Sequence, residues 1–178
     1  MAVVLLVAAT EIELCERDGL VCGVGPVEAA ASTARALAAE RPDAVVHVGV
    51  AGARGITPGA LVVGSESVYC DIAAEIPVID RVAPDSTLLA TVRAVLPNAL
   101  ALPIGTSAAV GGTDTGLRVE AMEGFGVLRA CAQAGVPAVE IRAISNEITE
   151  ADRGRWRIGR ALETLADALP EVLAAAAE

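Results

Sequence analysis

The chain has 178 residues, 54% of them hydrophobic but only 2% aromatic. That is enough apolar surface to bury a core of Ala, Val, Leu and Ile, and too much to stay disordered. All 13 basic residues are arginine, against 23 acidic ones, for a net charge of −10. This balance argues against a general nucleic-acid or anionic-membrane binder. The absence of lysine excludes a conventional P-loop and a Schiff-base lysine.

Apolar strands alternating with amphipathic helices predict a single α/β domain over 1–178. Residues 2–9 read as a buried strand, being apolar on both faces. The stretch from Met1 has no basic n-region and is far shorter than the ~20 residues of a membrane span, so a cytoplasmic protein is expected. From Leu14 to Leu20 the chain is read as turning straight back into a short strand, Leu20-Val21-Cys22. Gly23-Val24-Gly25 precedes a helix over 26–39 that opens on Pro26. It is not a dinucleotide fingerprint, because the third glycine position holds Glu28. Ala44–Val50 is a strand ending in the glycine-rich run 49–55, where open α/β sheets bind ligands. One or two strands follow over 61–70, then a helix over 84–96, a strand over 98–104 and a small-residue loop over 105–116. A helix from Met122 to about Gln133 and a strand over 138–143 follow. After Asn146 comes a polar loop, and a last helix runs from about Trp156 to the tail.

The cysteines, Cys15, Cys22, Cys70 and Cys131, show no C-x-x-C spacing, and His47 is the only histidine. No metal site is expected; the thiols read as reduced and buried. The informative pair of segments is Met122-Glu123-Gly124-Phe125-Gly126 and Arg142-Ala143-Ile144-Ser145-Asn146. A helix start and the carboxyl end of a neighbouring strand can face one crevice, bringing a carboxylate, a cation, a hydroxyl and an amide together. By themselves these residues also fit a helix-start glutamate favoured by the dipole, with an arginine partner.

With Ala9-Thr10-Glu11-Ile12-Glu13, Gly23 to Ala30 and Val46 to Gly52, these segments resemble the purine nucleoside phosphorylase/nucleosidase superfamily, and the resemblance implies a three-layer α/β fold with a mixed, mostly parallel central sheet flanked by helices. Met-Glu-Gly-Phe-Gly and Arg155-Trp156-Arg157-Ile158 resemble the futalosine hydrolases within it. The resemblance implies hydrolysis of the N-glycosidic bond of futalosine, an intermediate in one route to menaquinone, releasing hypoxanthine without a cofactor. It implies that Glu123 accepts from the ribose 2′- and 3′-hydroxyls, with Met122 against the sugar and Ala51 and Gly52 also at the substrate. Glu13 matches the water-activating carboxylate, with Glu11 two residues away as the alternative. Arg142 and Ser145 help hold the water and the base-binding side chain. Asn146 stands where adenine-cleaving relatives carry Asp. An amide can accept from N7–H and donate to a 6-oxo group, which points to a 6-oxopurine.

Related phosphorylases carry an arginine and a serine for phosphate where this chain has His47 and Val50, so water is the expected nucleophile. The alternatives are an adenine-nucleoside nucleosidase of the methylthioadenosine/S-adenosylhomocysteine type, a purine nucleoside phosphorylase, or a nucleoside-binding protein without turnover. The loop over 105–113 lacks the aromatic that often stacks on the base; either Phe125 or a partner subunit supplies it, or the base is held by apolar contacts alone, and Tyr69, which reads more readily as packing, is a further candidate. The expected partners are a small nucleoside and, in a homo-oligomer, a second copy of the chain; nucleic acid and membrane are not expected.

Overall fold

A computed structural model describes residues 2–113 and 115–178; Asp114, inside the loop predicted over 105–116, and Met1 lie outside them. In chain order the elements are β1 (Val4–Ala8), a 3-10 turn (Glu11–Leu14), β2 (Leu20–Val21), α1 (Pro26–Ala39), β3 (Ala44–Ala53), β4 (Leu61–Tyr69), β5 (Arg81–Val82), α2 (Ser86–Val95), β6 (Leu100–Thr106), β7 (Val119–Ala121), α3 (Gly124–Ala134), β8 (Ala138–Glu147) and α4 (Ile158–Ala176). The three-layer α/β expectation holds. Strands β1–β2, β1–β3, β3–β8, β4–β6 and β6–β7 pair parallel, and β3–β7, β4–β8 and β4–β5 pair antiparallel.

As expected, the chain turns back over 14–20 without an inserted strand, and β2 then runs parallel to β1, with Val7 opposite Leu20. The chain makes that return through consecutive left-handed residues, Cys15 and Glu16. Several boundaries differ from expectation. β3 and β8 continue past Val50 and Ala143, to Ala53 and Glu147, and Asn146 lies at the carboxyl end of β8, as expected. α3 begins at Gly124, with Glu123 as its N-cap residue, and α4 begins at Ile158, so Met122 and Trp156 lie just outside these helices. β5 and β7 were not foreseen.

The unforeseen β7 completes a ring of strands, β3–β8–β4–β6–β7, closed by β7 pairing back onto β3. β3 therefore shares one edge between two partners. Ala44 to His47 pair with β1, whereas Gly52 and Ala53 pair with β7. Between these contacts the edge of β3 opens at the carboxyl end of the parallel strands, the position at which such sheets offer a crevice.

Alternate residues of the strands serve opposite helical layers. Val7 and Val45 pack with Val127, Leu128 and Cys131 beneath α1 and α3. Val46, Val48, Val139 and Ile141 pack against α2 and α4. α4 is anchored by Ala161, Leu165, Leu169, Val172 and Ala176, spaced three or four apart on one face. Each buried leucine there contributes about 1.5–3 kcal/mol. Among the described residues no helix is long and apolar enough to cross a membrane.

Candidate active site

The opening in the sheet is the floor of a cavity of about 280 Å³. Of the residues singled out from sequence, Glu13, Ala51, Gly52, Met122, Glu123, Ser145 and Asn146 all line it. Arg142 does not; it is wholly buried directly behind the wall. Glu11 is exposed and is not among the lining residues, because the 3-10 turn after Thr10 sends it outwards and Glu13 inwards.

Glu13 is held at both oxygens. Its Oε2 accepts from the backbone N–H (3.1 Å) and the hydroxyl (2.7 Å) of Thr10. Its Oε1 accepts from the N–H of Val50 at 2.9 Å, on the stretch of β3 between its two edge partners. Opposite Gly49 in the ladder stands Arg142. A Cβ on Gly49 would collide with both Arg142 Nη1 and Glu13 Oε1. These two atoms thus crowd the same position beside the glycine. Nη1 has no hydrogen-bond partner among the described residues.

The rest of the guanidinium is fixed. Nε donates to Glu140 Oε1 at 2.9 Å, and Nη2 donates to His47 Nε2 at 2.6 Å. Since Nε2 accepts there, Nδ1 carries the imidazole proton and donates to the carbonyl of Val7 at 3.0 Å. Burial, then the neighbouring guanidinium, hold the His47 pKa well below its usual 6.5, so the ring is neutral.

Glu123, only 4% exposed, lies 3.4 Å from Arg142 Nη2 and accepts from the N–H of Gly25 at 3.2 Å. Gly25 adopts φ +95°, a conformation glycine reaches without strain. The Gly-x-Gly turn thus serves a carboxylate of this chain, not a cofactor phosphate. Burial raises the Glu123 pKa; the Arg142 charge and the Gly25 N–H partly offset that rise.

At the other side of the cavity the β3–β8 register slips, so that Ile144 faces Ala51 while Asn146 faces Gly52. This bulge re-aims consecutive side chains. Ser145 Oγ donates to Asn146 Oδ1 (2.7 Å) and also lies 3.2 Å from the carbonyl of Ala51. Asn146 Nδ2 donates to the Glu147 carbonyl at 2.9 Å. The amide keeps one N–H and one oxygen lone pair for a ligand.

Of the aromatics expected at the base, neither Phe125 nor Tyr69 is placed there. Phe125 and Tyr69 stack on each other, centroids 5.3 Å apart, and neither lines the cavity. The aromatic wall is Trp156, whose Nε1 donates to the Glu150 carbonyl at 3.0 Å. Its motif was noticed in the sequence, but it lies in a loop and carries no periodicity to reveal where it points. Nor did sequence reveal how the loop bearing Ala109 to Gly112 is tied over the cavity. Asp71 accepts from Ser107 Oγ (2.8 Å) and Ala108 N (2.6 Å), while Glu120 accepts from the N–H and hydroxyl of Thr113. All four cysteines are free; Cys22 and Cys131 are buried, which pushes their thiols up to about 12, whereas Cys15 and Cys70 are half-buried, against the expectation of four buried thiols.

A family model described as the Phosphorylase superfamily matches residues 19–178. A futalosine hydrolase from Streptomyces coelicolor is 41% identical over 181 aligned positions, covering 85% of this chain and 76% of that protein. Among solved structures, a futalosine hydrolase mutant of Helicobacter pylori superposes with a TM-score of 0.87 at 17% identity, over 98% of this chain and 99% of that one. An S-adenosylhomocysteine nucleosidase from Streptococcus pyogenes, in complex with 5-methylthiotubericidin, gives 0.84 at 21% identity, over 97% and 96%. The two structural likenesses establish the fold.

Proposed function

The chain belongs to the phosphorylase superfamily and, within it, to the futalosine hydrolase family, and on that premise we propose that it hydrolyses the N-glycosidic bond of futalosine to release hypoxanthine. The observation that carries the choice of water over phosphate is the engagement of the Val50 N–H by Glu13 Oε1, opposite Arg142 Nη1. A phosphate dianion there would meet a fixed carboxylate instead of donors. The one arginine nearby already faces the carboxylates of Glu123 and Glu140. Burying a second anion among them is electrostatically costly.

Water held between Glu13 and Arg142 attacks the anomeric carbon on the face away from the base. Glu13 takes its proton, the general-base part. Glu123 accepts from both ribose hydroxyls, and its charge favours the oxocarbenium character that develops. Met122 packs against the sugar. The glycosidic electron pair leaves with the base, which takes up a proton at N7 from solvent water in the cavity, and the proton held by Glu13 returns to solvent to close the cycle. Asn146 accepts from that N7–H through Oδ1 and donates to the 6-oxo group through Nδ2. Ser145, donating to Oδ1, holds the amide in the orientation that reads a 6-oxopurine. Ala51 and Gly52 form the backbone floor, and Trp156 offers the base or the 5′ substituent a flat apolar face.

The protein is proposed to act in the cytoplasm, in menaquinone biosynthesis, as a homo-oligomer of two or more chains. The exposed apolar residues at the cavity mouth, Ile12, Val24, Val110 and Ile158, support a covering partner copy. The substrate assignment is tested by chromatographic assay of free base from futalosine, its 6-amino analogue and methylthioadenosine in competition. Preferential release of hypoxanthine is expected; preferential release of adenine would transfer the assignment to the adenine-nucleoside nucleosidases.

A further inference from the structure

Glu140 has no task in the reaction just described. It lies two residues before Arg142 on β8, opposite His47 in the ladder, and is fully buried. A carboxylate at such depth persists only when paired and hydrogen-bonded. Its Oε1 accepts from Arg142 Nε at 2.9 Å, and its Oε2 accepts from the hydroxyl of Ser67 on β4. Both oxygens occupy the space that a side chain on Gly124, the first residue of α3, would need. The glycine after Glu123 and the carboxylate on β8 are therefore sterically matched.

We infer that Glu140 is the positioning residue that aims the Arg142 guanidinium, and that Gly124 is the notch that admits its carboxylate. A guanidinium is planar and rigid, so fixing two of its nitrogens fixes the third. Glu140 holds Nε and His47 holds Nη2, which leaves Nη1 facing Glu13 across Gly49. Without Glu140 the nearest remaining carboxylate is Glu123, already 3.4 Å from Nη2. The arginine would close on it and compete with the ribose hydroxyls for its oxygens. Glu140 acts through Arg142 and touches no reacting atom.

This inference takes its activity readout from the proposed hydrolysis. The test compares wild type, Glu140→Gln and Gly124→Ala. The glutamine variant keeps the shape and removes the charge. The alanine variant keeps every polar group, suits a helix better than glycine, and pushes the carboxylate aside. Both are expected to lose about 10²-fold in kcat, with KM changed far less.

The Glu123 carboxylate is faced by Arg142, Glu13, Glu140 and the Cys22 thiol. Removing the Glu140 charge therefore moves the acid limb of the pH–rate profile to lower pH in Glu140→Gln, a change that a merely structural residue would not cause. Wild-type kcat in both variants with an unmoved acid limb overturns the inference. If Glu140→Gln does not fold, the kcat of Gly124→Ala decides. A wild-type protein that releases no base defeats the proposed hydrolysis instead. Positioning is then read from the Arg142 Nε–H resonance, which burial and its bond to Glu140 should protect from exchange: its loss in Gly124→Ala supports the inference, and its persistence unchanged overturns it.

Discussion

Replacing Gly49 with alanine probes the nucleophile's place with one carbon atom. The position lies within β3 and is not a positive-φ glycine, so alanine meets no backbone penalty there. The added Cβ collides with Arg142 Nη1 and Glu13 Oε1 together. Neither can yield freely: Arg142 is fixed by Glu140 and His47, and Glu13 by Thr10 and Val50. A methyl forced into a packed site costs about 1–3 kcal/mol of stability. A displacement of about 1 Å at the reacting centre costs about 10²-fold in rate, equivalent to roughly 2.7 kcal/mol of barrier. Glu123 and Asn146, proposed to bind sugar and base, are not the groups displaced, so KM should stay near its wild-type value. Steady-state hypoxanthine release, with thermal melting as the control for folding, separates these terms. A folded Gly49→Ala protein with wild-type kcat would refute the placement of the water.

The only histidine supplies a second check. Because the folded state depresses the His47 pKa, its imidazole signals in NMR should not titrate between pH 8 and 5. The unfolded chain takes up that proton below about pH 6.5, so stability should fall as pH drops below that value, and this share of the slope should vanish in a His47 variant. Glu123 has the opposite sign. Its folded pKa is raised, so the unfolded state ionises first and stability falls as pH rises through the folded value. Glu123→Gln should therefore lose activity yet melt higher than wild type at neutral pH; a lower melting temperature would contradict the stated balance of burial over pairing. Asn146→Asp should move the competition between 6-oxo and 6-amino nucleosides towards the latter, and an unchanged ratio would remove Asn146 from base reading. Trp156 is the only tryptophan, so hypoxanthine binding should alter the protein's intrinsic fluorescence; an invariant spectrum at saturating base would take the indole off the cavity wall.

Much of the fold and the cavity was legible in the residue order. A long apolar run such as Ala44 to Val50 announces a buried parallel strand because both of its faces lie under helices. Glu123 and Asn146 could be paired in advance because a helix start and a strand's carboxyl end naturally share a crevice. β7 could not be read. Three residues, Val-Glu-Ala, carry no periodicity, and their pairing with β3 and β6 depends on tertiary closure. The separation of Glu11 from Glu13 was equally hidden, since an extended segment would turn both the same way and only the 3-10 turn parts them. Glu140 was passed over inside an apolar strand, where a charged residue in the midst of such a run is itself a signal.

The most direct measurement is hypoxanthine release from futalosine by the purified protein in phosphate-free buffer, with wild type and Glu13→Gln assayed side by side. Wild-type turnover should be present without phosphate and unchanged on its addition, and the variant should be slower by about 10²–10⁴-fold, the span of a lost general base. Turnover that begins only when phosphate is supplied, or a Glu13→Gln rate matching wild type, would contradict the account.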